Sequence, residues 1–483
     1  MLKRLSLASS GLMLMLAGCG MGGGAPDDST VESKEALVPA NNLAGVAETV
    51  TTSGVLDMTS TFFQPLGTND RDCSYCHDSQ QGWTVTPLGN AKLFFQSQGL
   101  DDHFLPIDQG ARPDADLSTF FSRLVNFGPT SLLRALTRFT RTNPATSEYD
   151  VIAVNDPSGF STTASYLNFR RPSPTANEAL VSSVTWTAGP STAADPVGVA
   201  LAGLVNGAAN LHEQRTAGPI DPAIVQAQVD FQRGIFFAQS IDNLAGRLDT
   251  DGATGGPTNL MAQPFHVGIN DIQGLDPAGQ PFSPKIFNLY DAWAVYDQDG
   301  DHDHDHVHAC AGGTDDDFHR RRVAAARASI YRGQQIFNTL QFNITGVSGL
   351  NDANVLGPNV TGTCGTCHNV PNVGGHSVIR MFDIGTADQI NCGPMLPLVT
   401  IQRKSDGTTR SVCDLGRANG SHTWAQVGTF RAPPLRGLAA GAPYFHDGQA
   451  PTLGSVVDYH NNRFQIGLSA GQRRDLVAFL SAL

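Results

Sequence analysis

Apolar positions near the C-terminus recur at helical spacing. Leu476, Phe479, Leu480 and Leu483 follow an i, i+3, i+4, i+7 rule, and Ser469 precedes them as an N-cap, which predicts a terminal helix with one buried face. The same spacing puts Leu453, Val456, Val457 and His460 on one face of a helix capped by Thr452. Further helices are predicted over residues 131–139, 225–237 and 322–338. Strand signals are few: residues 395–412, with Ser405-Asp-Gly407 at the turn, read as a β-hairpin or long loop. Pro- and Gly-rich stretches, including Arg170-Arg-Pro-Ser-Pro-Thr175 and residues 251–284, interrupt the periodicity and predict irregular surface or interdomain structure. The chain is therefore expected to be mainly α, with long loops and minor β.

The first residues follow a different pattern. Met1-Leu-Lys-Arg precedes an apolar run through Leu16 that is too short to span a membrane and suits an export signal. Leu16-Ala-Gly-Cys19 resembles a bacterial lipobox, which implies lipid on Cys19. Gly20, in a place where aspartate favours the inner membrane, points to an outer-membrane anchor on the periplasmic or cell-surface side. Residues 1–18 are then a signal peptide and 19–56 a flexible tether, with folded structure expected from about Thr61. At 483 residues and 40% hydrophobic content the chain can hold two or three domains. A formal charge of −13 argues against a nucleic-acid partner and leaves a basic electron-transfer partner open.

The candidate chemistry lies in two short motifs, Cys73-Ser-Tyr-Cys-His77 and Cys364-Gly-Thr-Cys-His368. On one helical turn two thiols and an imidazole point to one side. The thiols can add to the vinyl groups of a haem and the histidine can ligate its iron; CxxCH is the attachment signature of c-type haem. A zinc site built from the two CxxC pairs is the alternative, but it needs no histidine after each pair, and its pairs usually lie closer in sequence. Two covalent haems are expected, on Cys73, Cys76 and His77, and on Cys364, Cys367 and His368. Of the remaining cysteines, Cys392 and Cys413 could close a disulfide, with Cys310 left over. The motifs divide the folded part into an N-terminal haem domain (57–297), a His/Asp-rich linker (298–317) and a C-terminal cytochrome c-like haem domain (318–483). The linker run Asp301-His-Asp-His-Asp-His-Val-His308 could bind a transition metal. Without apolar residues it makes no core and reads as a solvated loop.

What fills the second axial position of each iron decides the chemistry. His460, on the apolar face of its helix, is the candidate for the second haem. At Thr429-Phe-Arg-Ala-Pro-Pro-Leu-Arg-Gly437, Gly441-Ala-Pro-Tyr-Phe-His-Asp-Gly448 and Ala450-Pro-Thr-Leu-Gly-Ser-Val-Val-Asp-Tyr-His460 the chain resembles the bacterial di-haem cytochrome c peroxidase superfamily. That superfamily includes MauG-type enzymes and di-haem rubber oxygenases. The resemblance covers most of residues 60–483 and is strongest from 361 onward.

It implies two cytochrome c-like haem domains packed together, with His77 and His368 as proximal ligands. His460 stands where peroxidases carry methionine, MauG-type enzymes tyrosine and rubber oxygenases histidine. Trp186 matches an electron relay between the haems, although such a residue is also an ordinary core aromatic. Gln214 matches a peroxide-pocket residue, and the glutamate expected about ten residues later falls on Ile224. Cleaving peroxide needs an acid/base group, for which Glu213 or His212 could substitute. Calcium between the haem domains is also implied, held by backbone carbonyls near Gly441 and Pro443.

The expected activity is peroxidase-like: hydrogen peroxide is reduced at the first haem with electrons passed through the second from a small redox protein or quinol-linked donor. The alternatives are an oxygenase or oxidase that uses oxygen on an extracellular organic substrate, and a non-catalytic electron carrier. In the carrier His103 or His266 would supply the first haem's sixth ligand.

Overall fold

The computed structural model describes residues 37–101, 104, 111–187, 193–216, 218–297 and 315–483. The expected signal segment with Cys19, His103, the His302–His308 run and Cys310 lie outside the described residues. The first half contains β1 (Val38–Asn42), β2 (Gly45–Thr51), α1 (Pro87–Ser97), α2 (Phe120–Phe127), β3 (Thr137–Arg141), β4 (Tyr149–Asn155) and β5 (Tyr166–Arg170). Then come α3 (Pro196–Leu211), α4 (Pro222–Arg233), β6 (Ile235–Asp242), β7 (Gly246–Arg247) and α5 (Gly256–Met261). The second half contains α6 (Asp315–Thr339), β8 (Phe342–Thr345), β9 (Asn359–Gly362), β10 (Leu398–Arg403), β11 (Thr409–Val412), α7 (Ala418–Ser421), α8 (Leu453–Phe464) and α9 (Ala470–Ser481). Helix makes up about 34% and strand 17% of the described residues, so helix leads but strand is more than minor.

The helices expected around the C-terminus form as their caps dictate. Ser469 accepts from the Gln472 N–H in a capping box, and Thr452 accepts from the Ser455 N–H. α9 packs on α6 around Phe337, Phe479 and Leu480, with Phe287, Tyr290 and Trp293 completing the core. Each fully buried aromatic there contributes roughly 1.5–3 kcal/mol. The two helices approach closely because Gly333 has no side chain; a Cβ there would sit 2.0 Å from the Asp475 carbonyl oxygen. Arg332 then pairs with Asp475 at 2.8 Å across the contact. Buried amides hold the 286–290 segment against α6: Asn338 Oδ1 accepts from the Ile286 and Phe287 N–H groups, and Gln334 Oε1 from that of Tyr290.

Sheets tie distant parts of the chain. β1-β2-β6-β7 form one antiparallel sheet, and β10 lies between β11 and β4. Thr400 pairs with Ala153 in that second sheet, which therefore joins the two halves. The described residues cluster as one compact unit.

Four expectations change. The tether over 19–56 is too long, because residues 38–51 form β1 and β2, which join β6 in one sheet and bury Ala40, Ala47 and Val50. The helix over 131–139 is not formed: a π turn over Gly128–Leu132 gives way to β3, which is captured by β5 in a register pairing Phe139 with Asn168. The helix over 225–237 starts earlier, at Pro222, and stops at Arg233; the β-branched and aromatic Ile235-Phe-Phe237 enters β6 instead. The linker ends before 317, since Asp315 begins α6. The hairpin in 395–412 forms as β10 and β11, and Cys392 and Cys413 form a disulfide with Cα atoms 5.9 Å apart.

Candidate functional site

Each CxxCH segment opens a 3-10 turn started by a side-chain cap. Asp72 accepts from the Ser74 N–H at the head of Cys73–Tyr75, and Thr363 from the Gly365 N–H at the head of Cys364–Thr366. The backbone N–H of His77 donates to the Cys73 carbonyl and that of His368 to the Cys364 carbonyl, both at 3.1 Å. Two sulfurs and an imidazole are thereby gathered on one turn, as the spacing predicts. Each imidazole is then fixed by a carbonyl further along the chain. His77 Nδ1 donates to Trp83 O at 3.0 Å, and His368 Nδ1 donates to Gly374 O at 2.6 Å; the sequence separation is 6 in both cases.

A carbonyl only accepts, so Nδ1 carries the proton and Nε2 keeps its lone pair for a metal. Burial is the main cause that lowers both imidazole pKa values, to about 4 for His368. The rings are neutral at physiological pH, as ligation requires. Burial also raises the thiols of Cys364 and Cys367 to about 12 and pushes Cys73 up, so none is a reactive thiolate at neutral pH. The two cysteine pairs sit in different cores, Cys73 with Phe62 and Trp83, Cys364 with Phe287 and Phe479. They do not form one four-cysteine zinc centre.

Cys364, Cys367, His368, His460 and Trp186 line one cavity of about 300 Å³. α8 brings in His460 together with Leu453, Val456 and Val457, the face read from the sequence. His460 Nδ1 donates to Val456 O at 2.9 Å, which again leaves Nε2 free, and burial lowers its pKa. Three buried arginines, Arg171, Arg431 and Arg436, line the same cavity. Arg436 donates to the carbonyls of Leu483 (3.0 Å), Asn372 (2.8 Å) and Gly256 (3.2 Å), and Arg431 to that of Ser183. Their Coulombic partners are weak: burial lowers Arg436 to about 10, and Arg431 is opposed by Glu178. Glu178 is itself buried, has an unpartnered Oε2, and is raised by burial to about 7.

Buried cations held mainly by carbonyls, with the Glu178 carboxyl opposite Arg431, favour entry of an anion. Arg431 Nε has no hydrogen-bond partner. Two thiols, imidazoles from two elements and buried guanidinium groups in an apolar cavity fit a haem, with Arg431 and Arg436 near enough to the cavity to meet its carboxylates.

The remaining predicted residues fall in different places. Trp186 is in the cavity, its Nε1 donating to Arg171 O at 2.8 Å and its ring centroid 6.5 Å from that of His446. Gln214 is not among the residues that line this cavity; it follows α3, and its carbonyl accepts from Thr68 Oγ1 at 2.8 Å. Its neighbour Glu213 is buried beside the first motif, where its charge raises the Cys73 thiol. Glu213 Oε2 accepts from the Leu66 N–H at 2.5 Å, and burial raises its pKa. Ile224 packs against the cluster of Val205, Ala209 and Ile220. His266 bonds Asp276 at 3.0 Å. Among the described residues Cys413, His446 and Asp447 come close enough for a metal, but Cys413 is committed to its disulfide.

Sequence reading missed the arginines and Glu178. A signal existed for two of them: Arg431 and Arg436 are the charged positions of an otherwise apolar, proline-rich run.

Residues 429–466, which contain Arg431, Arg436 and His460, match a family model described as RoxA-like, cytochrome c-like. A cytochrome-c peroxidase of Denitromonas iodatirespirans is 29% identical over 133 residues, covering 25% of this chain and 36% of that protein. The cytochrome c551 peroxidase of Pseudomonas aeruginosa is 33% identical over 122 residues, covering 25% of this chain and 30% of its own. The chain thus spans about a third of the length of these relatives. A solved MauG-like protein associated with microbial copper homeostasis is similar over 65% of this chain and 75% of its own. Its identity is 16% and its TM-score 0.29, which carries no argument.

Proposed function

We propose that this chain, which resembles the bacterial di-haem cytochrome c peroxidase and MauG-type superfamily, is an exported c-type oxidoreductase with two covalent haems. Haem held by His77 would supply the place where hydrogen peroxide is reduced, and haem held by His368 would supply the place where electrons enter. The observation that carries this reading is the duplicated construction: two CxxCH turns, each with its histidine Nδ1–H held by a carbonyl at a separation of 6. Bound haem supplies the redox equivalents and the iron that peroxide meets.

The chain's own residues do the rest. His77 and His368 would each offer Nε2 to a haem iron, and His460 would offer a further Nε2 at the electron-entry site. A bis-histidine site favours electron transfer at low potential. A relay role for Trp186 is supported by its place in the His368–His460 cavity beside Thr84, the neighbour of the Trp83 that holds His77. Glu213, a buried carboxyl raised by its surroundings beside the first motif, takes the acid/base role that Ile224 does not supply. The lipobox-like sequence at Cys19 supports a lipid anchor at the outer membrane. A small redox protein or quinol-linked carrier is the donor.

A second reading, an oxygenase acting on an extracellular organic substrate, is favoured by one observation. Ile224 stands at the expected glutamate position and lies in an apolar cluster.

Peroxide-dependent oxidation of a reduced small cytochrome by the full-length holoprotein tests the choice. Turnover is expected, and Glu213→Gln should lower it by about 10²-fold or more at unchanged haem content. No donor oxidation with peroxide, together with oxygen uptake on an organic substrate, would replace the first reading by the second.

A further inference from the structure

Arg171 is buried at 6% exposure, and among the described residues no carboxylate pairs with it. Its Nη1 donates to the carbonyl of Gly441 at 2.5 Å and to that of Pro443, and its Nη2 donates to Val85 O at 2.8 Å. Gly441 and Pro443 mark the segment near which the superfamily resemblance implies carbonyl ligands for calcium. Calcium needs six to eight oxygen ligands with room to surround the ion. Here those oxygens already accept from a guanidinium, and a second cation would stand against a fixed positive charge. The residues present therefore do not fit calcium.

We propose that Arg171 is a built-in cation, which takes the place of calcium and makes this protein independent of the metal. The guanidinium has five N–H donors in a rigid plane and can satisfy several carbonyls at once, which an ammonium cannot do in the same geometry. Its position serves both haem sites. The Arg171 backbone N–H donates to His446 O at 2.7 Å, and the Arg171 carbonyl accepts from Trp186 Nε1 at 2.8 Å. Val85 follows closely after Trp83, whose carbonyl fixes His77. A single residue thus joins the loop of the first site, the proposed relay tryptophan and the 441–446 segment. Arg171 is a positioning residue, and the inference does not depend on which oxidant the enzyme uses.

The test uses the full-length holoprotein. After exhaustive chelation, thermal midpoint and electron paramagnetic resonance spectrum should be unchanged, and calcium added in the calorimeter should give no binding heat. A stoichiometric calcium site, or a loss of midpoint or spectrum on chelation, would overturn the proposal. Arg171→Ser should lower the midpoint and alter the spectrum, with recovery on adding methylguanidinium or calcium. A serine variant matching wild type in both measurements would also overturn it. Should that variant fail to fold, the calorimetry on the unmodified protein still decides.

Discussion

Gly374 is the residue whose carbonyl takes the His368 Nδ1–H, and its backbone has φ +77°. Gly374→Ala imposes two costs. A side chain in the left-handed region costs about 1–2 kcal/mol. The new Cβ would also lie 2.9 Å from Leu435 and Phe287 in a packed core, an overpacking worth about 1–3 kcal/mol. Gly357 is the control: its φ is +79° but a Cβ there meets nothing within 4 Å. Gly357→Ala should cost the first term alone.

With an unfolding entropy of about 2.1 cal/mol/K per residue, the compact unit should lose roughly 2–5 °C of thermal midpoint in the first variant and 1–2 °C in the second. Only Gly374→Ala moves the carbonyl away from His368. The less basic imidazole should raise the reduction potential of the haem proposed at the His368 site, measured by spectroelectrochemistry. Equal midpoint losses and equal potentials in the two variants would refute the assigned role of the Gly374 carbonyl.

His376 is buried, donates through Nδ1 to Cys367 O at 2.9 Å, and is lowered to about 3, mainly by burial and then by Arg380. Its folded pKa lies below its unfolded value, so the stability that depends on the neutral ring is full above pH 6.5 and lost as pH falls toward 3. That window amounts to roughly 3–5 kcal/mol. His376→Phe, which keeps an aromatic against Phe382, should flatten the acid limb of midpoint against pH; an unchanged slope would contradict the burial argument. Cys392→Ser with Cys413→Ser removes a link of sequence separation 21 and should cost about 3 kcal/mol in denaturant titration. No change in the denaturation midpoint would mean that the bond does not stabilise the fold.

Local chemistry was legible in the sequence wherever it acts locally. Thr452 and Ser469 cap α8 and α9 because a hydroxyl reaches an N–H three residues on, whatever the rest of the chain does. The haem turns were legible for the same reason. Residues 131–139 were not, since Leu132 and Leu136 have helical spacing while β5, a distant strand, decides the conformation of β3. Gly234, after α4, is a stop signal that would have separated the helix from β6. Arg171, Arg431 and Glu178 read as surface residues by type, and only packing shows them buried. The bonds of Arg171 to Gly441 and Pro443 span separations of 270 and 272, beyond any periodicity argument.

Electron paramagnetic resonance of the oxidised full-length protein, before and after cyanide, reads both axial positions at once. The expected result is a high-spin ferric signal that cyanide converts to low spin, from the His77 site, beside a low-spin signal from the His368–His460 site that cyanide leaves alone. Two low-spin signals untouched by cyanide, in the oxidised and the one-electron-reduced protein alike, would contradict catalysis at His77 and leave an electron carrier.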